Sequence, residues 1–271
     1  MTTVEAPPRP EISFQMSSGP LALMAELLDD LERTRIANEN RYRQLTRTEV
    51  DKDGEVRGFG LPEDYPAAVA VKSMIDALTT MEVTATKNLN TELKNSPLHP
   101  WLKAQRGVGD KQGARLLAAI GDPYWNTLHG RPRTVSELWA FAGLHVNNET
   151  GTAVRRQKGQ QSNWSSNAKM RSFLVSESIV KQLTAACKTD DGVVHVDGCT
   201  CAPLRKIYDA RKAHTFGHTH AIDCNRCGPA GNPAKAGSFW SDAHRHADAT
   251  RIVSKELLKQ LWIESKRLHE S

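Results

Sequence analysis

Four of the five cysteines in this chain come as two close pairs, and such pairs are the residues best suited to chemistry here. Cys199-x-Cys201 and Cys224-x-x-Cys227 are separated by 22 residues. Thiolates are soft donors, and two knuckles that each deliver a close pair satisfy a tetrahedral zinc ion with little strain. The spacing predicts one structural zinc held by Cys199, Cys201, Cys224 and Cys227, with His214, His218 or His220 able to replace one thiolate. A closed site of this kind folds a region with little core of its own. His244 and His246 lie two apart on a helical stretch, point to different sides and read as surface residues.

A second constellation lies in LHPWLKAQRGVGDKQGARLLAAIGD, residues 98–122. It reads as two short helices joined at Gly107-Val108-Gly109, with Ala114, Leu116, Leu117 and Ile120 lining the second helix. Glycines allow a positive φ and a close backbone approach at the bend. The amides from Gly109 onward start a helix, which makes an anion site, and a DNA phosphate is the expected anion. Lys111 and Arg115 stand beside it, with Arg106 on the bend. The alternative is an ordinary helix pair with a glycine turn.

Charge supports a nucleic-acid partner more by its distribution than by its total. The chain of 271 residues carries a formal charge of +5. Residues 99–171 hold eleven Lys/Arg against four Asp/Glu, a surplus of seven, so the remainder carries a deficit of two. A basic block in a near-neutral chain is an electrostatic footprint for nucleic acid. Its centre is the polar loop NNETGTAVRRQKGQQSNWSSN, residues 147–167, with Arg155, Arg156 and Lys158. Lys169 and Arg171 follow at the start of a helix, and Trp164 either stacks on a base or anchors the loop.

These residues are positioned by helices, and the expected fold is mainly α. After a loose tail (1–18), residues 19–96 read as a long helical hairpin or coiled coil. Its stripes are Leu23, Met24, Leu27, Leu28 and Leu31, then Ala70, Met74, Ile75, Leu78, Met81, Leu89 and Leu93. Residues 97–188 form the hairpin-helix domain. Within it, Thr134 and Glu137 make a capping box, and Gly143 stops that helix. Ser165 or Ser166 caps the next, whose apolar side is Met170, Phe173, Leu174, Ile179 and Leu183. Residues 189–236 are the zinc knuckle, and 237–271 end in an amphipathic helix. No run approaches the roughly 20 apolar residues of a membrane span, and the first twenty residues lack a signal-type stretch. A cytoplasmic chain with reduced thiols is expected, which favours metal ligation over disulfides.

From 99 to about 182 the chain resembles the C-terminal domain of insertion-sequence transposases of the IS-110 and IS-116 type, the RNA-guided recombinases. The features are Gly107-Val108-Gly109 with Ala114, Ile120-Gly121-Asp122, Ala142-Gly143-Leu144, the 155–158 basic loop and the helix opening at Asn167. They cover about a third of the chain. The resemblance implies a helix-hairpin-helix that grips DNA backbone and a coiled-coil segment before it. It also implies a hydroxyl nucleophile just before a glycine in the loop after Ala142-Gly143-Leu144, where this sequence has Thr150-Gly151. The family's RuvC-like nuclease fold has no counterpart before Leu98, where nothing alternates strand and helix.

The leading expectation is therefore a mobile-element or phage DNA-binding protein. Its contacts would be Gly107, Gly109, Lys111, Arg115, Arg155, Arg156, Lys158, Lys169 and Arg171, with structured RNA a further candidate partner and a second copy a candidate for the helical hairpin. The alternatives are a residual recombinase using Thr150 with Mg²⁺, a small metal nuclease using His218 or His220, and a helical zinc scaffold for protein partners.

Overall fold

The computed structural model describes residues 10–16, 19–147, 151–156, 158–189, 192–229 and 232–271, with the Phe14 side chain excepted. Along the chain run α1 (Glu11–Met16), α2 (Gly19–Thr46), α3 (Pro66–Lys94), α4 (His99–Ala104), α5 (Asp110–Ile120), the two-stranded pair β1 (Trp125–Asn126) and β2 (Arg131–Pro132), and α6 (Val135–Phe141). Then follow α7 (Ser166–Val180), a 3₁₀ turn (Ala185–Cys187), the pair β3 (Lys188–Thr189) and β4 (Gly192–Val193), α8 (Pro203–His214) and α9 (Asp242–Glu270). Both strand pairs are antiparallel. The fold is mainly helical, and it divides into two units, Ser18–Asn95 and Met1–Ser17 with Ser96–Ser271.

In the first of these units α2 and α3 form a helical hairpin. A helix pair buries only a narrow seam of residues at alternating three- and four-residue spacing. On α2 the fully buried positions are Leu21, Ala25 and Leu28; on α3 they include Ile75, Ala85, Leu89 and Leu93. Farther along that seam Arg35 Nε donates to Glu82 at 2.7 Å. Leu23, Leu27, Met74 and Met81, expected in the packing stripe, are exposed. The stripe read from the sequence was too wide, because two helices leave their flanks uncovered.

In the other unit α9 is the spine. Its buried residues, Ala249, Val253, Leu257, Leu258 and Leu261 among them, meet α8, α7, α6 and α1. Two indoles pin it: Trp139 Nε1 donates to the Lys255 carbonyl and Trp262 Nε1 to the Arg133 carbonyl, both at 2.8 Å. Near its end His269 Nε2 lies 2.7 Å from Asp122, and Ser265 donates to the same carboxylate at 2.8 Å. The expected loose tail is corrected over its described part. Residues 11–16 are helix α1, and Met16 is buried with its sulfur 3.0 Å from Ser265 Oγ.

The helix α7 also differs from expectation. Ser165 caps it by accepting from the Ala168 amide. Its buried face is Ala168, Arg171, Ser172, Val175, Ser176 and Ile179, while Met170, Phe173 and Leu174 are exposed. Close approach to α9 explains this, since Ser176 Oγ lies 2.8 Å from Ser254 Oγ. Small residues permit that spacing, and bulky ones are turned outward.

Candidate metal centres and basic groove

The cysteine pairs do not converge on one ion. Two clusters form instead: Cys187, His195, Cys199 and Cys201, and His220, Cys224, Cys227 and His244. Within each, the candidate ligand atoms lie within 4.8 Å of one another. The single Cys199–Cys201–Cys224–Cys227 site is thereby corrected. Helix α8 stands between the pairs, and its 12 residues carry the chain about 18 Å away.

The separations inside each cluster suit one tetrahedral ion. With metal–sulfur near 2.3 Å and metal–nitrogen near 2.0 Å, tetrahedral ligands sit about 3.8 Å apart for two sulfurs and about 3.6 Å for sulfur and nitrogen. In the first cluster Cys201 Sγ and Cys187 Sγ are 3.6 Å apart, and Cys199 Sγ is 3.8 Å from His195 Nδ1. In the second, His244 Nδ1 is 3.6 Å from Cys224 Sγ and 3.4 Å from Cys227 Sγ. His220 Nε2 is buried without a hydrogen-bond partner, as a metal ligand atom would be. The donor sets, three sulfurs with one nitrogen and two with two, fit a metal ion.

Outer groups fix these ligands. His195 Nε2 lies 2.9 Å from Asp209 Oδ2, which leaves Nδ1 as the donor, and Arg205 holds Asp209 with two bonds of 2.7 Å. The Thr184 hydroxyl and amide, 3.4 and 3.3 Å from Cys201 Sγ, bring that thiol down to about 6. At the second cluster the Ser241 amide donates to Cys227 Sγ at 3.4 Å, and Ser241 also caps α9. Burial, then His220, Arg226 and Arg155, push His244 down to about 4, so its imidazole is neutral. The Trp240 ring stacks on His244 at 4.1 Å. His244 is thus no surface residue. His246 keeps part of its ring at the surface, with Nδ1 2.7 Å from the Tyr208 hydroxyl. His214 and His218 stand outside both clusters.

Cys187, His195 and His244 escaped the sequence reading as ligands. The signals were there: His195-x₃-Cys199-x-Cys201 is a ligand spacing, and Cys224-x₂-Cys227 is followed 17 residues later by His244.

The second cluster forms part of a groove of about 1360 Å³. The other walls come from Leu144, Asn147, residues 151–156 and 160–164, the start of α7 and the first half of α9. Among the described residues six Lys/Arg line it (Arg155, Arg156, Lys169, Arg211, Arg226 and Arg251) against two acids, Asp223 and Asp248. Burial would raise Asp248, but hydrogen bonds from Arg211 and Arg251 hold it below its usual value. Burial, then the charges of Arg226, Arg251 and Arg155, hold the Lys169 ammonium below its ordinary value. Burial and Arg155 do the same to Arg226. Cations are therefore crowded here beyond what the two acids offset.

The expected DNA contacts separate into groups. Arg155, Arg156 and Lys169 line the groove, and Lys158 lines a smaller hollow of about 560 Å³ beside Arg156. Arg115 and Arg171 are 3 % and 6 % exposed, so as surface phosphate contacts they are corrected: both are core residues. Lys111 is half-buried. Gly109 is exposed and caps α5, where Asp110 already occupies the first turn. Gly107 has φ +92°, and a Cβ there would stand 2.7 Å from Gln182 Cγ and 2.9 Å from Ile179 Cα. Its glycine serves close packing on the end of α7. The bend thus packs on the last turn of that helix, whereas the groove is lined by its first half, from Ser166 to Phe173.

Trp164 anchors its loop: its ring lies against Gly143 and under the Lys169 ammonium, 5.1 Å from the centroid. Thr150 lies outside the described residues. No helix among the described residues is long and apolar enough to cross a membrane. Neither the family models, nor the curated proteins, nor the solved structures contain a match to this chain.

Proposed function

We propose that this chain is a zinc-containing nucleic-acid-binding protein, with one zinc ion in each Cys/His cluster and the basic groove as the seat of the phosphate backbone. The observation that carries the reading is the crowding of Arg155, Lys169, Arg226 and Arg251 on the groove walls, where among the described residues two carboxylates face six cations. Phosphates relieve that repulsion, and the release of their counterions drives association. A four-ligand zinc site is closed and supplies folding free energy rather than chemistry. The resemblance of residues 99–182 to a transposase C-terminal domain agrees with DNA as the partner. A recombinase role would need a nucleophile such as Thr150, and Thr150-dependent nicking of supercoiled plasmid in Mg²⁺ is its test.

The binding reading is tested by an anisotropy titration across salt concentrations. Replacing Arg155 and Arg156 together by Ala removes two phosphate contacts. The slope of log K against log salt then falls by about 1.4–1.8, at 0.7–0.9 per contact. An unchanged affinity and slope overturns the groove as the site. Metal analysis of the purified chain reads two zinc equivalents, and a folded protein without metal overturns the zinc assignment.

A further inference from the structure

The groove holds more than charge. On α7, Met170 and Phe173 are 45 % and 44 % exposed and one turn apart, which places them side by side. Ile222, 48 % exposed, lies on the knuckle of the second cluster. All three line the same groove as the cations. Helix α7 meets α9 through small residues, and nearly half of each of these apolar side chains is left open. An apolar strip inside a cationic trough suits a ligand that is anionic along one edge and flat and apolar along the other. A duplex offers only its charged exterior, because its base faces are stacked inside. An unpaired strand offers both, and base stacking on aromatic side chains tolerates any sequence. The groove, about 1360 Å³, exceeds the roughly 300–1,000 Å³ of a small-molecule site.

Resting on the nucleic-acid reading above, we propose that the groove binds unpaired nucleic-acid strand, with a base stacked on Phe173 beside Met170 and Ile222 and the phosphates on Arg155, Arg156 and Arg226. The test uses the full chain with zinc and a labelled 12-nucleotide strand of mixed sequence, as DNA and as RNA, alongside the matching DNA duplex. The strand binds at least tenfold tighter than the duplex. Phe173→Ala weakens strand binding about 5- to 150-fold, the equivalent of 1–3 kcal/mol per stacked base, and weakens duplex binding far less. Phe173→Tyr restores the strand affinity. Equal affinity for strand and duplex, or a Phe173→Ala variant that weakens both alike or neither, overturns the stacking proposal. In each of those cases, loss of affinity in the Arg155/Arg156 variant still upholds the groove. If that variant also binds as before, the nucleic-acid reading itself fails. The DNA and RNA arms distinguish which strand the groove prefers.

Discussion

Around Cys187, His195, Cys199 and Cys201 the outer partner is a carboxylate, Asp209, itself gripped by Arg205. Around His220, Cys224, Cys227 and His244 the cations Arg226 and Arg155 outweigh the one carboxylate, Asp248. With zinc, three thiolates and one imidazole give a centre of net charge near −1, and two of each give a neutral one. The first centre ties the end of α7, the β3–β4 pair and the start of α8 into one piece, and its charges are answered locally. The second stands beside Arg155 and Arg226, both of which line the groove. On the proposed reading, two Cys/His clusters thus serve differently, one as a staple and the other as a wall of the groove.

The contrast is broken most forcefully by removing one thiolate from each centre. Cys201→Ser should release one zinc equivalent and lower the melting temperature markedly, because Cys201 and Cys187 are buried among core elements. Cys227→Ser should release one zinc with a smaller thermal effect, yet lower nucleic-acid affinity at least tenfold. Calorimetry, metal analysis and anisotropy on both variants read this, and matching thermal and binding losses in the two would erase the distinction. A milder probe is Asp209→Asn, which keeps the shape and removes the charge that orients His195. Chelator competition should show one of the two ions held about 10- to 100-fold more weakly, with the other unaffected. The smallest effect is expected from Trp240→Leu. Losing a stacked ring contact of about 0.5–1.5 kcal/mol should loosen the second zinc about 2- to 12-fold. Equal loosening of both ions would show that the ring does not act locally.

What was readable from the sequence was local. The Thr134–Glu137 capping box is present, with Thr134 Oγ1 accepting from the Glu137 amide at 3.2 Å. The Cys pairs and the Arg155–Arg156 loop were visible because their partners lie within a few residues. The two-centre arrangement was hidden because Cys187 and His244 reach their clusters from other elements, a 3₁₀ turn and the first turn of α9. Arg115 and Arg171 were misread for a related reason. Residue type suggests a surface, but helical phase and the neighbouring helix decide burial. Met170 and Phe173 failed in the other direction, large apolar residues that read as core and proved exposed.

The sequence by itself determined a mainly helical chain, its caps and turns, and the presence of metal-ligand pairs and a basic loop, since each depends on spacing along the backbone. Only the tertiary structure decided which cysteine meets which histidine, which arginines are buried, and that cations and an exposed phenylalanine share one groove. Those outcomes depend on how helices pack across tens of residues, where a serine-to-serine contact between α7 and α9 sets what faces in and what faces out.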